Sequence, residues 1–151
     1  MQNRSSAVMQ QRYEPHDSLD DYPTQPWGTR ALCTHVLAGC HLKDKTVWEP
    51  TCNRGHMVDP LREFFSAVWA SDIKDYGLAG ARQHDFLMPY LPADFQREGV
   101  VPDWIIANPP FRLAEQFIAR ALEIATEGVA MIVRTSFLEG VGRYENLYSK
   151  R

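Results

Sequence analysis

The sequence predicts an α/β fold in which helices cover both faces of one doubly wound, mostly parallel sheet. Two observations support this prediction. Short apolar runs alternate along the chain with segments of helical periodicity, the pattern expected of βαβ units. The first four apolar runs are also followed by an acidic or amide side chain. Ligands of doubly wound sheets bind at the carboxyl ends of the strands, so a ligand site is expected there.

Composition limits the class of protein. The chain has 151 residues, of which 44% are hydrophobic and 23% are charged, as in an ordinary globular domain. A formal net charge of −3 argues against a basic surface over the whole molecule, so any nucleic-acid surface would be local. No apolar run approaches the roughly 18 residues of a membrane span. With three cysteines and no secretory signal, we expect a cytoplasmic protein with free thiols.

The first half of the chain gives one polar segment and three regular elements. Residues 1–20 are rich in polar side chains and are predicted to be flexible, which leaves 21–151 as the folded domain. A helix is predicted over 26–41, because Pro26 suits a first helical turn. A strand follows over 46–48, and a second helix is predicted over 55–65.

The second half continues the alternation. Strands are predicted over 67–70 and 104–107, and a weaker one over 82–86. The apolar spacing within 112–127 predicts an amphipathic helix that Gly128 ends. The run 129–133 is the fifth predicted strand.

Four polar residues stand where the predicted strands end: Glu49, Asp72, Asp85 and Asn108. Clustered carboxylates are costly unless they accept hydrogen bonds or meet positive charge. A ligand with ribose hydroxyls, an exocyclic amine and a cationic centre would satisfy them. The sequence spacing from Glu49 to Asp72 is typical of a cofactor-binding loop followed by the acid that binds the ribose. The alternatives are strand-end caps for Asp72 and Asp85, and a surface acid for Glu49.

Asn108, Pro109, Pro110 and Phe111 form the most informative segment. The prolines carry no N–H and favour extended backbone, so local carbonyls can face outward as acceptors. Asn108 and a proline carbonyl can accept both hydrogens of a planar amine, while Phe111 stacks on its ring. An ordinary turn after a strand is the alternative, with Phe111 starting the core of the next helix.

In this order, these motifs resemble those of class I, S-adenosylmethionine-dependent DNA adenine-N6 methyltransferases of the small type found in phages and prophages. The resemblance covers 21–151 and begins with Tyr22, Pro23 and Thr24, before the first helix. It implies a Rossmann-like methyltransferase sheet with strand order 3-2-1-4-5. It also implies the cytoplasm of a bacterium or of a phage-infected host.

The resemblance assigns a role to each motif. S-adenosylmethionine would be the cofactor, with Asp72 on its ribose and Asp85 on its adenine amine. The partner would be DNA, with an adenine flipped out of the duplex and Phe111 replacing its lost stacking. The implied cofactor-binding residues are Tyr22, Thr24, Glu49, Pro50, Asn53, Gly55, Asp72, Asp85 and Asn108. The implied catalytic residues are Asn108, Pro109, Pro110 and Phe111, and no metal is implied.

The sequence departs from the family pattern at two places. Asn53 stands where the family has a glycine; asparagine tolerates left-handed backbone but adds bulk on the path of the cofactor. The family sheet has seven strands, so the usual last two are missing and the chain is predicted to be truncated or naturally short. The run 129–133 would then be an apolar sheet edge, and we expect self-association through it unless residues 135–151 cover that edge. Segment 134–136, which follows this run, is expected either to line the groove for the base or DNA, or to be only a turn that leaves the strand.

Other functions stay open at this point. The segment 108–111, as a slot for a planar amine, can also accept a protein glutamine amide or the amine of an RNA base. A non-catalytic remnant that only binds cofactor or DNA is a further alternative. Zinc binding by Cys33, His35, Cys40 and His41 is not predicted, because they do not form a CxxC pair. A nicotinamide-dependent reductase is not predicted, because no G-x-G-x-x-G is present.

Overall fold

Five parallel strands form one sheet in the computed structural model, which describes residues 22–149. Their order is β3-β2-β1-β4-β5. The predicted fold class and strand order are therefore confirmed, whereas the predicted flexible segment 1–20 lies outside the described residues. The strands are β1 (Thr46–Glu49), β2 (Ala67–Asp72), β3 (Arg82–Gln83), β4 (Trp104–Ala107) and β5 (Gly128–Met131).

The helices are mostly short. The α-helices are α1 (Pro26–Ala31), α2 (Val58–Arg62), α3 (Ala93–Glu98), α4 (Ala114–Ile124) and α5 (Val141–Arg143). Helix α1 continues as a π-helical turn over Leu32–Val36, and a second such turn, Tyr144–Tyr148, follows α5. Single 3-10 turns lie at Leu42–Asp44, Phe111–Leu113 and Thr135–Leu138.

The predicted helix boundaries were too wide in the first half of the chain. The helix predicted over 26–41 ends at Val36, and His41 has left-handed backbone with φ 50°. The helix predicted over 55–65 covers only Val58–Arg62, because the loop before it still turns at Gly55, with φ 92°. Left-handed residues end regular helices, so the loops are longer than apolar spacing indicated.

Helix α3 was not predicted, although the sequence carries signals for it. Pro92 precedes the helix, and Gly99 follows it with φ 64°, the usual asymmetry of helix ends. Phe95 is its one buried residue, so the periodicity was too weak to reveal it. Strand β3 is also shorter than the predicted 82–86, since residues after Gln83 leave the sheet.

The central strands are buried on both faces. Packing on both sides holds these strands in place, and with them the carboxyl ends that carry the polar residues. All four residues of β4 are buried, as are the last three of β1, the pattern of parallel strands covered on both sides. On one face, the Trp48 ring lies edge-on to Phe86 and Phe95, with centroid distances of 5.1 and 5.3 Å. Phe117 of α4 joins this cluster through Phe86.

Gly128 offers a direct test of packing at the start of β5. A Cβ atom there would lie 2.3 Å from a ring carbon of the buried Trp104, closer than van der Waals contact permits. Gly128→Ala should therefore destabilise the fold by about 1–3 kcal/mol, the usual cost of overpacking. Urea unfolding would measure this, with Gly142→Ala as the control because its Cβ meets nothing within 4 Å. Equal stability of the two variants would contradict this packing.

Candidate functional site

The carboxyl ends of the strands surround a cavity of about 230 Å³. It lies where the strand order reverses between β1 and β4, the usual ligand position of doubly wound sheets. Most of the residues predicted for the site line this cavity: Tyr22, Thr24, Pro50, Asn53, Asp72, Asp85, Asn108 and Pro110. Four predicted residues are not among those that line it: Glu49, Gly55, Pro109 and Phe111.

Glu49 lies beneath the cavity wall, with 1% of its surface exposed. Its Oε1 accepts hydrogen bonds from the Thr51 N–H at 2.9 Å and the Thr51 hydroxyl at 2.6 Å. The Thr51 hydroxyl in turn accepts the Asn108 N–H at 3.3 Å. Glu49 therefore joins the loop after β1 to the segment after β4. Only two of the three carboxylates expected at the rim line the cavity, and the contact of Glu49 with a cofactor stays a prediction.

Burial raises the pKa of Glu49 to about 8. The hydrogen bonds from Thr51 lower this pKa, but their effect is smaller than that of burial. Since the folded-state pKa lies above the unfolded value of 4.5, the folded protein holds the extra proton between these two pH values. Folding stability should therefore fall as pH rises from 4.5 to about 8, by at most about 1.4 kcal/mol per pH unit from this group.

Glu49→Gln should remove this pH dependence. The amide stays neutral at every pH, so the variant should lose less stability than the wild type between pH 5 and pH 8. The relative gain should be on the order of a few kcal/mol. Chemical unfolding at both pH values measures it. Parallel losses in the two proteins would show that Glu49 does not hold a proton in the folded state.

Asp72 ends β2 and orders the loop after β1. Its Oδ2 accepts the Asn53 N–H at 2.9 Å, and its Oδ1 accepts the Lys74 N–H at 3.2 Å. Asn53 has left-handed backbone with φ 47°, a conformation that asparagine tolerates. Its side-chain oxygen accepts the Arg54 N–H at 2.7 Å, although Asn53 still lines the cavity. Each Asp72 oxygen has a second lone pair, so the carboxylate can accept further hydrogen bonds.

Asp85 lies on the wall after β3. Its Oδ1 accepts the Leu87 N–H at 3.0 Å, and the structure of residues 22–149 gives its other carboxylate oxygen no protein partner. The cavity that Asp85 lines also has apolar wall: Ile73, directly after Asp72, is 54% exposed and lines it together with Leu87. This combination suits a planar ring that carries an amine. Ile73 was missed from the sequence, although a large apolar residue after a strand-end acid was a usable signal.

Asn108 has a fixed side-chain orientation. Its Nδ2 donates to the Tyr22 carbonyl oxygen at 2.9 Å and to the Thr24 hydroxyl oxygen at 3.1 Å. Both amide hydrogens are thereby used, so the side-chain oxygen is the atom left to accept a hydrogen bond from a ligand. The Tyr22–Thr24 segment is predicted to bind the cofactor, and the structure shows that it also orients Asn108.

The other residues of the motif differ in position. Pro109 is buried, and the Pro110 carbonyl accepts the Leu113 N–H at 2.9 Å. Phe111 is half-buried and belongs to none of the core clusters of the described chain. Its ring stacks with Tyr22 at a centroid distance of 6.2 Å, and the Arg134 guanidinium carbon lies 4.3 Å from its centroid. Phe111 therefore lies beside the cavity, between the N-terminal segment and the exit of β5.

Residues 22–149 contain no group of three or more histidine, cysteine or acidic side chains placed to hold a metal ion. Cys33, the first residue of the zinc alternative, is buried in the core, and burial raises the pKa of its thiol to about 11. No helix within the described part of the chain is long and apolar enough to cross a membrane.

No protein-family model and no curated relative matches the chain. Solved structures do match it. A protein described as a hemolysin of Streptococcus thermophilus superposes with a TM-score of 0.56 and 17% identity over 78% of this chain and 46% of that one. A dimethyladenosine transferase of Plasmodium falciparum superposes with a TM-score of 0.55 and 16% identity, over 82% of this chain and 48% of that one. The chain therefore spans less than half the length of either neighbour. The likeness shows the fold alone, a Rossmann-like doubly wound sheet.

Proposed function

We propose that the chain binds S-adenosylmethionine and transfers its methyl group to the N6 amine of an adenine flipped out of DNA. One observation carries the proposal. The side-chain oxygen of Asn108 is left as an acceptor at a cavity that Asp72 and Asp85 also line. This pairs an acceptor for an amine with two carboxylates suited to a cationic nucleoside.

The described residues fit the cofactor. Asp72 would accept hydrogen bonds from ribose hydroxyls, and Asp85 from the adenine amine, with Ile73 against the ring. When bound, S-adenosylmethionine would supply an electrophilic methyl group, with its S–CH3 bond breaking to leave S-adenosylhomocysteine. The amine would release one of its hydrogens to solvent as a proton. Glu49 beneath the wall would lose its proton more readily near a cationic ligand, because opposite charge lowers a carboxyl pKa.

The acceptor side of the site positions the amine. An adenine amine is a weak nucleophile because its lone pair is delocalised into the ring. Asn108 Oδ1 and the Pro109 carbonyl would accept its two hydrogens, favour a pyramidal nitrogen and aim the lone pair at the methyl carbon. The Pro110 carbonyl already accepts a hydrogen bond from the Leu113 N–H, whereas no backbone N–H in residues 22–149 donates to the Pro109 carbonyl. This is catalysis by positioning and electrostatics.

RNA is the second candidate substrate. The name of the structural neighbour from Plasmodium falciparum refers to dimethyladenosine, and adenosine is the ribonucleoside. The proposed slot contacts only the base, so it accepts the same amine from either polymer.

A methyl-transfer assay tests the proposal. The full chain would be incubated with radiolabelled S-adenosylmethionine and matched unmethylated DNA, RNA or glutamine-containing peptide, and the products digested and analysed by mass spectrometry. We expect N6-methyladenine in DNA. Label only in RNA or peptide would reject the DNA substrate, and cofactor binding without transfer to any of them would favour a non-catalytic remnant.

The partner proposal also includes a second copy of the chain. Strand β5 pairs with β4 on one side, and in the described residues no strand pairs with its other side. Beside it lies a groove of mixed polarity, whose lining includes the apolar side chains of Val129, Met131 and Leu138. The edge of a second copy can pair with these backbone groups and cover the groove, since open apolar edges promote association.

Ile132→Lys should therefore reduce self-association. Ile132 is exposed directly after β5, and a lysine at a sheet edge opposes pairing. Light scattering at high concentration should give a wild-type mass above 17.3 kDa and a lower mass for the variant. Val36→Lys changes an exposed apolar residue elsewhere and is the control. A monomeric wild type would contradict the proposal.

A further inference from the structure

The ring of Phe111 already has planar neighbours at the place where the target base would stack. The Arg134 guanidinium carbon lies 4.3 Å from the ring centroid, within the range of a cation–π contact. The Tyr22 ring lies 6.2 Å away, inclined by 25°. A base that stacks on Phe111 must compete with these groups for the faces of the ring.

Arg134 is the neighbour that can move more easily. The Tyr22 backbone carbonyl accepts a hydrogen bond from Asn108 at 2.9 Å, so moving the Tyr22 backbone would disturb the orientation of the Asn108 amide. The Tyr22 side chain is also partly buried. Arg134 is exposed, and its guanidinium forms no hydrogen bond or ion pair with other residues in 22–149. Because its side chain is long, exposed and rich in rotamers, Arg134 can leave its contact with Phe111.

We propose that Arg134 occupies the face of the Phe111 ring on which the target base would stack, and that it moves to a nucleic-acid phosphate when the base binds. This rests on the proposed function, because that function assigns the base to Phe111. Guanidinium is planar and stacks on aromatic faces as a base does. It also forms strong charge-assisted hydrogen bonds with phosphate. Arg134 therefore opposes the base and attracts the backbone that carries it.

These two roles predict opposite effects of Arg134→Ala on two probes. The first probe is adenosine, titrated with excess S-adenosylhomocysteine so that the cofactor site does not bind it. Without the competing guanidinium, adenosine should bind about two- to fivefold more tightly, which corresponds to one exposed cation–π contact. The second probe is a single-stranded DNA oligonucleotide with an abasic site, which offers phosphates but no target base. It should bind more weakly, with a salt-dependence slope smaller by about 0.7, the value for one phosphate contact.

One further variant separates the planar shape of the Arg134 guanidinium from its charge, and a second is a control at another arginine. Arg134→Lys keeps the charge and loses the planar group, so adenosine should bind more tightly while the abasic oligonucleotide binds as it does to the wild type. Arg97→Ala removes an exposed arginine from α3 and should leave adenosine binding unchanged. Unchanged binding of both probes to Arg134→Ala, or shifts in the same direction, would overturn the inference.

The methyl-transfer assay distinguishes this failure from failure of the proposed function. Opposite shifts in a protein that transfers no methyl group would support the role of Arg134 and reject the enzyme. Methyl transfer to adenine in a protein whose Arg134→Ala variant shows no opposite shifts would support the enzyme and reject the role of Arg134.

Discussion

Asn108→Ala should lower turnover by about 10²-fold or more, the scale for losing one aligned polar group in an active site. The alanine lacks the oxygen proposed to accept one hydrogen of the adenine amine, so the lone pair is no longer held towards the methyl group. Binding of S-adenosylmethionine should stay within a few-fold of wild type, because Asp72 and Asp85 remain at the cavity. Single-turnover kinetics and calorimetry would measure the two effects separately.

Two variants make this test specific. Asn108→Asp keeps an acceptor but loses the donors to the Tyr22 carbonyl and the Thr24 hydroxyl. Its carboxylate would face the Tyr22 oxygen, so it should also be impaired. Asn146→Ala removes a surface amide that contacts Glu115 and should keep full turnover. Unchanged turnover in Asn108→Ala would remove Asn108 from catalysis.

Asp72→Ala should weaken binding of S-adenosylmethionine by roughly 10- to 100-fold, as expected for the loss of hydrogen bonds to a charged acceptor. Asp72 would contact the ribose hydroxyls. It also accepts the Asn53 N–H, so the substitution frees the loop after β1 from this contact. Calorimetry with S-adenosylmethionine measures the affinity, and saturating cofactor should restore much of the turnover.

Asp75→Ala is a matched control for this loss. Asp75 lies three residues further along and also accepts a backbone N–H, from Gly77 at 2.7 Å, but it is not among the residues that line the main cavity. Its variant should bind the cofactor as the wild type does. Intact affinity in Asp72→Ala, or an equal loss in both variants, would contradict the assignment of Asp72 to the ribose.

Much of the architecture was predictable from the sequence. The apolar runs before Glu49, Asp72 and Asn108 are the strands β1, β2 and β4, because a strand buried on both faces must be apolar along its length. The side chains that end these strands lie at one edge because the strands are parallel. The strand order, which the motif resemblance implied, is also observed. The signals around α3, with Pro92 before it and Gly99 after it, were present but were not used.

The direction of individual side chains was not predictable from local pattern. Glu49 and Asp72 both end strands, yet Glu49 lies beneath the wall and Asp72 lines the cavity. The hydrogen-bond partners of the Asn108 side chain are more than 80 residues away in the chain, at Tyr22 and Thr24. The group over Phe111 comes from Arg134, beyond the next strand. Such contacts depend on how distant segments pack.

The sequence alone determined a doubly wound sheet with polar residues at its carboxyl edge. Hydrophobic period is a property of neighbouring residues, and the alternation of strands with helices implies parallel strands. Only the tertiary structure decided which of those polar atoms faces a ligand. Buried polar atoms form hydrogen bonds with the groups that the fold places beside them. The donors and acceptors at the cavity that still have hydrogen-bonding capacity are the ones that can bind a ligand.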